Sequence, residues 1–155
     1  MERIEKEIEV HAPLRAVYNQ WTQFEDFPNF MEGVKEVRQL DEKRLFWKAQ
    51  IMGQEVEWEA EIYEQVPDTR IAWRSVTGHP NAGAVYFNRI DAENTQVTLL
   101  IEYEPLGAAE ALVDMFGVLG MRVEGDLRRF RDFVESRGAA TGGWRGEIRE
   151  GTTTQ

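Results

Sequence analysis

Residues 54–63 read Gln-Glu-Val-Glu-Trp-Glu-Ala-Glu-Ile-Tyr. In an extended chain, successive side chains point to opposite faces, so Val56, Trp58, Ala60 and Ile62 share one side. Glu55, Glu57, Glu59 and Glu61 share the other. A helix would mix the two sets. The segment is therefore a strand with one dry and one wet face, which suits an antiparallel sheet. The glutamate face is solvated, and Lys48, Arg70 and Arg74 on flanking strands are in reach of it.

The same reasoning extends along the chain. Ile4, Ile8 and Val10 alternate with charged neighbours over 2–11. Pro13 suits the first turn of a helix carrying Leu14, Val17, Tyr18 and Trp21. Residues 24–31 form a short aromatic helical turn broken by Pro28, and Gly33 closes it. Strands then follow at 34–40, around 45–51, at 54–63, around Ile71 and Trp73, from Gly83 to Phe87, and from Val97 to Tyr103. Turn residues separate them, and the short spacings favour neighbouring antiparallel strands. The last element is a helix over about 108–136, with Leu112, Phe116, Val123, Leu127, Phe130 and Val134 near one stripe. In its first half, Met115, Phe116, Val118, Leu119 and Met121 surround Gly117 and Gly120. Glycine is costly inside a helix, so close packing, a kink or room for a ligand is implied. Gly138 stops the helix. The expected architecture is α+β: a curved seven-stranded antiparallel sheet around a long C-terminal helix, with two short helices after the first strand. It gives one domain over 1–137 and a Gly/Thr-rich tail over 138–155, loosely ordered beyond Trp144.

At 155 residues the chain buries a core without disulfides, and its lack of cysteine excludes thiolate catalysis and cysteine-ligated metal. The net charge of −10 argues against nucleic acid or an anionic membrane as partner. The charged start at Met1–Lys6 carries no apolar signal core, and no stretch is long and apolar enough to span a bilayer. The expected location is the cytoplasm, without integral membrane association. No HExxH, P-loop or dinucleotide fingerprint is present. Ser75 lacks an identifiable His–carboxylate pair. Glutamates alternating along a flat strand do not converge on one ion. Neither a metal, a cofactor nor a catalytic residue is expected.

Several phrases carry a family resemblance. They include Ala12-Pro13 with Val17-Tyr18, the run Trp21 to Pro28, Phe30-Met31-Glu32-Gly33-Val34, Glu57-Trp58-Glu59-Ala60 and Ile71-Ala72-Trp73-Arg74-Ser75. Gly83 to Phe87, Tyr103-Glu104-Pro105, Asp126-Leu127 with Phe130, and the tail from Glu135 to Gly146 continue it. Over about 1–146 the chain resembles the polyketide-cyclase/dehydrase branch of the START-like (SRPBCC) superfamily, near coenzyme Q-binding-like members. The resemblance implies a helix-grip fold whose long helix stands off from the sheet at its N-terminal half. It does not assign chemistry.

With that fold, Trp47, Trp58, Trp73, Phe87 and Tyr103 on the sheet and Met115, Phe116 and Leu119 on the helix are candidate ligand-binding residues. Core packing is the alternative for each. Phe24, Phe27, Phe30 and Met31, with His79 in its Gly/Pro loop, are candidates for a gate. So many aromatics on one short segment are not expected to share one small core, and a dimer patch is a further option. His79 is otherwise an exposed loop residue. Ser75, Gln54, Gln50, Arg44 and Asn81 are candidates to orient a ligand's polar group. The leading expectation is binding, transport or sequestration of a hydrophobic small molecule such as a lipid, quinone or polyketide-like aromatic. The alternatives are an aromatase/cyclase- or dehydratase-type enzyme, with Tyr103, Tyr86 or His79 moving protons, and a protein-interaction module.

Overall fold

A computed structural model describes residues 2–51, 53–104 and 109–154, and side chains for all of these except 2, 51 and 109–119. Strand β1 (Glu2–Val10) leads to helix α1 (Leu14–Trp21) and a 3₁₀ segment, Phe24–Asn29. Strands β2 (Val34–Gln39), β3 (Arg44–Ile51), β4 (Gln54–Val66), β5 (Arg70–Gly78), β6 (Asn81–Asp91) and β7 (Asn94–Tyr103) follow. Helix α2 (Ala109–Arg137) and two short strands, β8 (Glu147–Arg149) and β9 (Thr152–Thr154), complete the chain. The antiparallel sheet runs β1-β7-β6-β5-β4-β3-β2, so the first strand returns to pair with the seventh. The resulting α+β fold, a sheet closed over a long C-terminal helix, is the helix-grip arrangement.

The sheet differs from the expected seven strands by the β8–β9 hairpin, which joins through Gln65↔Ile148. The tail is thus not loose beyond Trp144. Ile148 is fully buried. Arg145 pairs with Asp68 at 2.6 Å and donates to Asn19 at 2.6 Å. Just before this, Thr141 exchanges hydrogen bonds with the buried Gln20. Gly and Thr alone signal flexibility. The partners that order this segment lie far earlier in the chain, from Asn19 and Gln20 to Gln65 and Asp68, beyond the reach of local pattern.

The core forms where α1, the 3₁₀ segment and the second half of α2 meet the sheet. Phe24, Phe27 and Phe30 retain 4%, 1% and 2% of their exposure, so the expectation that they could not share one core is overturned. The reason is the winding. A 3₁₀ helix has three residues per turn, so residues spaced by three stack on one face. Phe27 meets Trp21, Phe24 and Phe30 at ring-centroid distances of 5.4, 5.4 and 5.6 Å. Phe130 of α2 closes the cluster against Trp21 at 4.9 Å and Phe30 at 5.2 Å. Leu127 and Val134 extend the same buried stripe.

The wet face of the sheet is held by cross-strand charges. Lys48 lies 3.5 Å from Glu55, and Arg44 and Arg74 each lie 3.9 Å from Glu61. Arg70 pairs instead with Glu64.

Candidate functional site: an apolar cavity under the long helix

Between the sheet and α2 lies an open-mouthed cavity of about 170 Å³. Its sheet wall includes Trp47 and Ala49 of β3, Trp58 of β4, Trp73 of β5, and Leu99, Ile101 and Tyr103 of β7. Among the described residues, Ile4, Trp21, Phe27, Met31, Val34 and, from α2, Val123 add to the apolar lining. Trp47 and Trp58 occupy facing positions of β3 and β4, their rings 8° from parallel with centroids 5.7 Å apart. Trp73 faces Gly83 across β5 and β6. A Cβ on Gly83 would lie 2.4 Å from the Trp73 ring, so only glycine lets that indole lie flat over β6.

Four of the sheet residues proposed for ligand binding, Trp47, Trp58, Trp73 and Tyr103, therefore share this wall. Phe87 does not; it packs in the core against Tyr18 at 5.3 Å and Trp21 at 6.2 Å. The side chains of Met115, Phe116 and Leu119 lie outside the described residues. Of the gate candidates, Phe27, Met31 and His79 line the cavity, whereas Phe24 and Phe30 stay in the core. Among the described residues, a Cβ on Gly120 of α2 would meet Lys6, at 3.8 Å.

Polar groups gather at two places on the wall. In the first, Gly33 turns the chain with φ +90°. Its carbonyl accepts from Gln50 N–H at 2.7 Å, and Arg122 Nη1 donates to the Gln50 carbonyl at 3.0 Å. Beside this junction sits Asp126, only 9% exposed. Its Oδ1 accepts from the Glu32 main-chain N–H at 2.9 Å and from Arg129 at 2.5 Å. Burial pushes the Asp126 carboxyl up to about 6, against the pull of Arg129, the Glu32 amide and Arg122. Arg129 also donates to the Phe30 carbonyl at 2.9 Å. Sequence reasoning gave this acid no role because it falls with Arg122, Arg128 and Arg129 on the helix faces away from the apolar stripe. The signal available was its place one residue before the buried Leu127.

The second place holds His79, Asn81, Tyr103 and Glu104. Burial lowers the His79 pKa, while the Glu104 backbone and carboxylate oppose that shift. Asn81 N–H donates to Ser75 Oγ at 3.0 Å, and its side-chain amide to the His79 carbonyl at 2.9 Å. Of the other inward polar candidates, Gln50 lines the cavity, Gln54 is exposed, and Arg44 faces Glu61 on the wet side. Tyr86 is exposed, away from the cavity. The indole N–H groups of Trp21, Trp47 and Trp58 are buried with no acceptor among the described residues.

A model of the family described as polyketide cyclase / dehydrase and lipid transport matches residues 10–131. The chain belongs to that family. An uncharacterized 17.2 kDa protein of Streptomyces lincolnensis is 43% identical to this polyketide cyclase/dehydrase family member over 149 residues, covering 96% of this chain and 99% of its own. The fold also matches an aromatase/cyclase from a Streptomyces species, with TM-score 0.75 and 19% identity over 92% of this chain and 99% of that one. A START superfamily protein from Mycobacterium smegmatis gives TM-score 0.73 at 15% identity, over 87% and 98%. Among the described residues of this family member, no helix is long and apolar enough to cross a membrane. Nor, among those residues, do three or more His, Asp or Glu side chains gather where they could hold a metal ion.

Proposed function

We propose that this protein binds an apolar small molecule in the cavity between the sheet and α2, to carry or sequester it. One observation carries the reading: about 170 Å³ of unfilled space with an aromatic and aliphatic wall. Protein interiors otherwise pack as tightly as organic crystals. A ligand that fills this space gains about 25 cal/mol for each Å² of apolar surface removed from water, before association costs. The two polar clusters then orient it. The family description, which joins cyclases and lipid transport, supports the same reading. The proposed setting is the cytoplasm, with fractionation of the producing cell as its check.

Native mass spectrometry of the purified protein, followed by solvent extraction, tests the proposal. The expected result is a co-purified apolar compound, or saturable uptake of one added to the stripped protein. A protein that neither retains nor takes up any apolar compound overturns it.

A second reading, an aromatase/cyclase-type enzyme, is favoured by Asp126. This carboxyl lines an apolar cavity, has Oδ1 occupied by two donors, and titrates at about 6, near working pH. A fold neighbour is an aromatase/cyclase. Under this reading, the protein converts a poly-β-ketone thioester mimic to a dehydrated ring product, and Asp126→Asn abolishes the conversion. An unchanged product profile with and without protein removes this reading and leaves the first intact.

A further inference from the structure

One strand is nearly missing from the cavity wall. β6 runs between β5 and β7, and its Gly83 pairs with Trp73 on one side and Ile101 on the other. Trp73 and Ile101 both line the cavity, whereas among the described residues β6 contributes only Asn81, at its start. The Trp73 indole takes the place that an inward side chain at 83 would fill. A Cβ on Gly83 would lie 2.4 Å from Cζ2, 2.6 Å from Cε2 and 3.0 Å from Nε1 of that ring. Non-bonded carbon atoms sit best at about 3.5–4.0 Å, so any side chain at 83 displaces the indole.

The backbone does not explain this glycine. Its φ lies outside the left-handed region, unlike that of Gly33. Glycine also weakens a strand interior, where it often marks a close approach. What position 83 supplies is room. The β6 backbone closes one side of the indole, and the unfilled volume lies on the other. Packed neighbours yield little, so a displaced ring moves into the cavity.

Resting on the reading that the cavity holds an apolar ligand, we propose that the Trp73–Gly83 pair sets the upper size of that ligand. Glycine at 83 keeps the indole against the sheet and the cavity at full depth. A larger residue there turns the indole inward and excludes larger ligands first. The two residues act on specificity by shape alone.

Benzene and naphthalene test this, as two aromatic hydrocarbons that differ in size and not in polarity. Dry apolar cavities of similar size take up benzene. The readout is the ratio of naphthalene to benzene affinity, measured by titration calorimetry. In Gly83→Ala the ratio falls at least about tenfold, equivalent to about 1.4 kcal/mol. In Trp73→Leu it rises above that of the unsubstituted protein. In the Gly83→Ala, Trp73→Leu double variant it recovers, because no indole is left to displace. A substitution that only destabilises the fold weakens both hydrocarbons together and leaves the ratio unchanged. If Gly83→Ala does not fold, Trp73→Leu and the double variant carry the comparison. A crystal structure of Gly83→Ala is expected to show the indole moved into the cavity. An unchanged ratio, an indole left in place, or a protein that binds neither hydrocarbon overturns the size rule. The cavity reading falls with it only if no other apolar compound is taken up.

Discussion

Asp126 Oδ1 accepts the main-chain N–H of Glu32 at 2.9 Å, tying the long helix to the segment that enters β2. The bond holds a carboxyl whose burial raises its pKa from 3.8 to about 6. Between those values the folded state binds more protons than the unfolded state. Unfolding free energy therefore falls as pH rises through this window. At 1.36 kcal/mol per unit, the contribution is on the order of 2–3 kcal/mol lost between about pH 4 and 7. His79 acts in the opposite sense, since its lowered pKa makes stability rise as pH climbs through its ordinary value of 6.5. Urea denaturation of wild type and Asp126→Asn across pH 4.5–7.5 separates the two. The variant is expected to lose the falling slope and to match or exceed wild type at pH 7.5.

Gly33 is required twice over. Its φ of +90° disfavours any side chain, and a Cβ there would lie 2.6 Å from Arg122 Nη1 and 2.9 Å from the Gln50 carbonyl oxygen. Gly33→Ala is expected to cost about 1–3 kcal/mol in a urea melt. It is also expected to weaken ligand uptake, because it separates Arg122 from Gln50 on the cavity wall.

Phe27 belongs both to the core cluster and to the cavity wall. Phe27→Ala should therefore lower stability by about 3–5 kcal/mol, as expected for a buried phenylalanine. It should also change ligand uptake kinetics in a stopped-flow assay. A variant of normal stability with altered uptake would assign Phe27 to a gate outside the core.

Ile148 tests the docked tail. It is fully buried and pairs with Gln65 at the end of β4. Ile148→Ala should cost about 2–5 kcal/mol. By contrast, Glu55→Gln should change stability by less than about 1 kcal/mol, because Glu55 is half exposed beside Lys48 and Lys35. Thermal and urea melts of the two variants give the comparison.

The gate segment shows where reading the chain stopped. Phe24, Phe27 and Phe30 were visible as an aromatic cluster, but whether they diverge or stack depends on the winding of that turn. An α-helical turn spreads them; the 3₁₀ turn that forms stacks them into one core. Phe87 was visible as an inward strand residue, yet whether it meets the ligand or Tyr18 depends on where α1 docks. Asp126 was hidden for a similar reason. It sits between Gly125 and Leu127 on a turn that also carries Glu124 and Arg128, and packing against the Phe30–Gly33 segment buries it.

By itself, the sequence determined the seven principal strands, the long helix and the antiparallel pairing of strands adjacent in the chain, because alternation, helical periodicity and turn residues are local properties; the return of β1 to β7 was decided only in the fold. Only the tertiary structure decided the unfilled volume, the raised pKa of Asp126 and the docking of the tail. Each depends on groups distant in sequence, 94 residues apart for Glu32 and Asp126 and 121 for Gln20 and Thr141. Desolvation and hydrogen bonding between such groups begin only when the whole fold has closed around them.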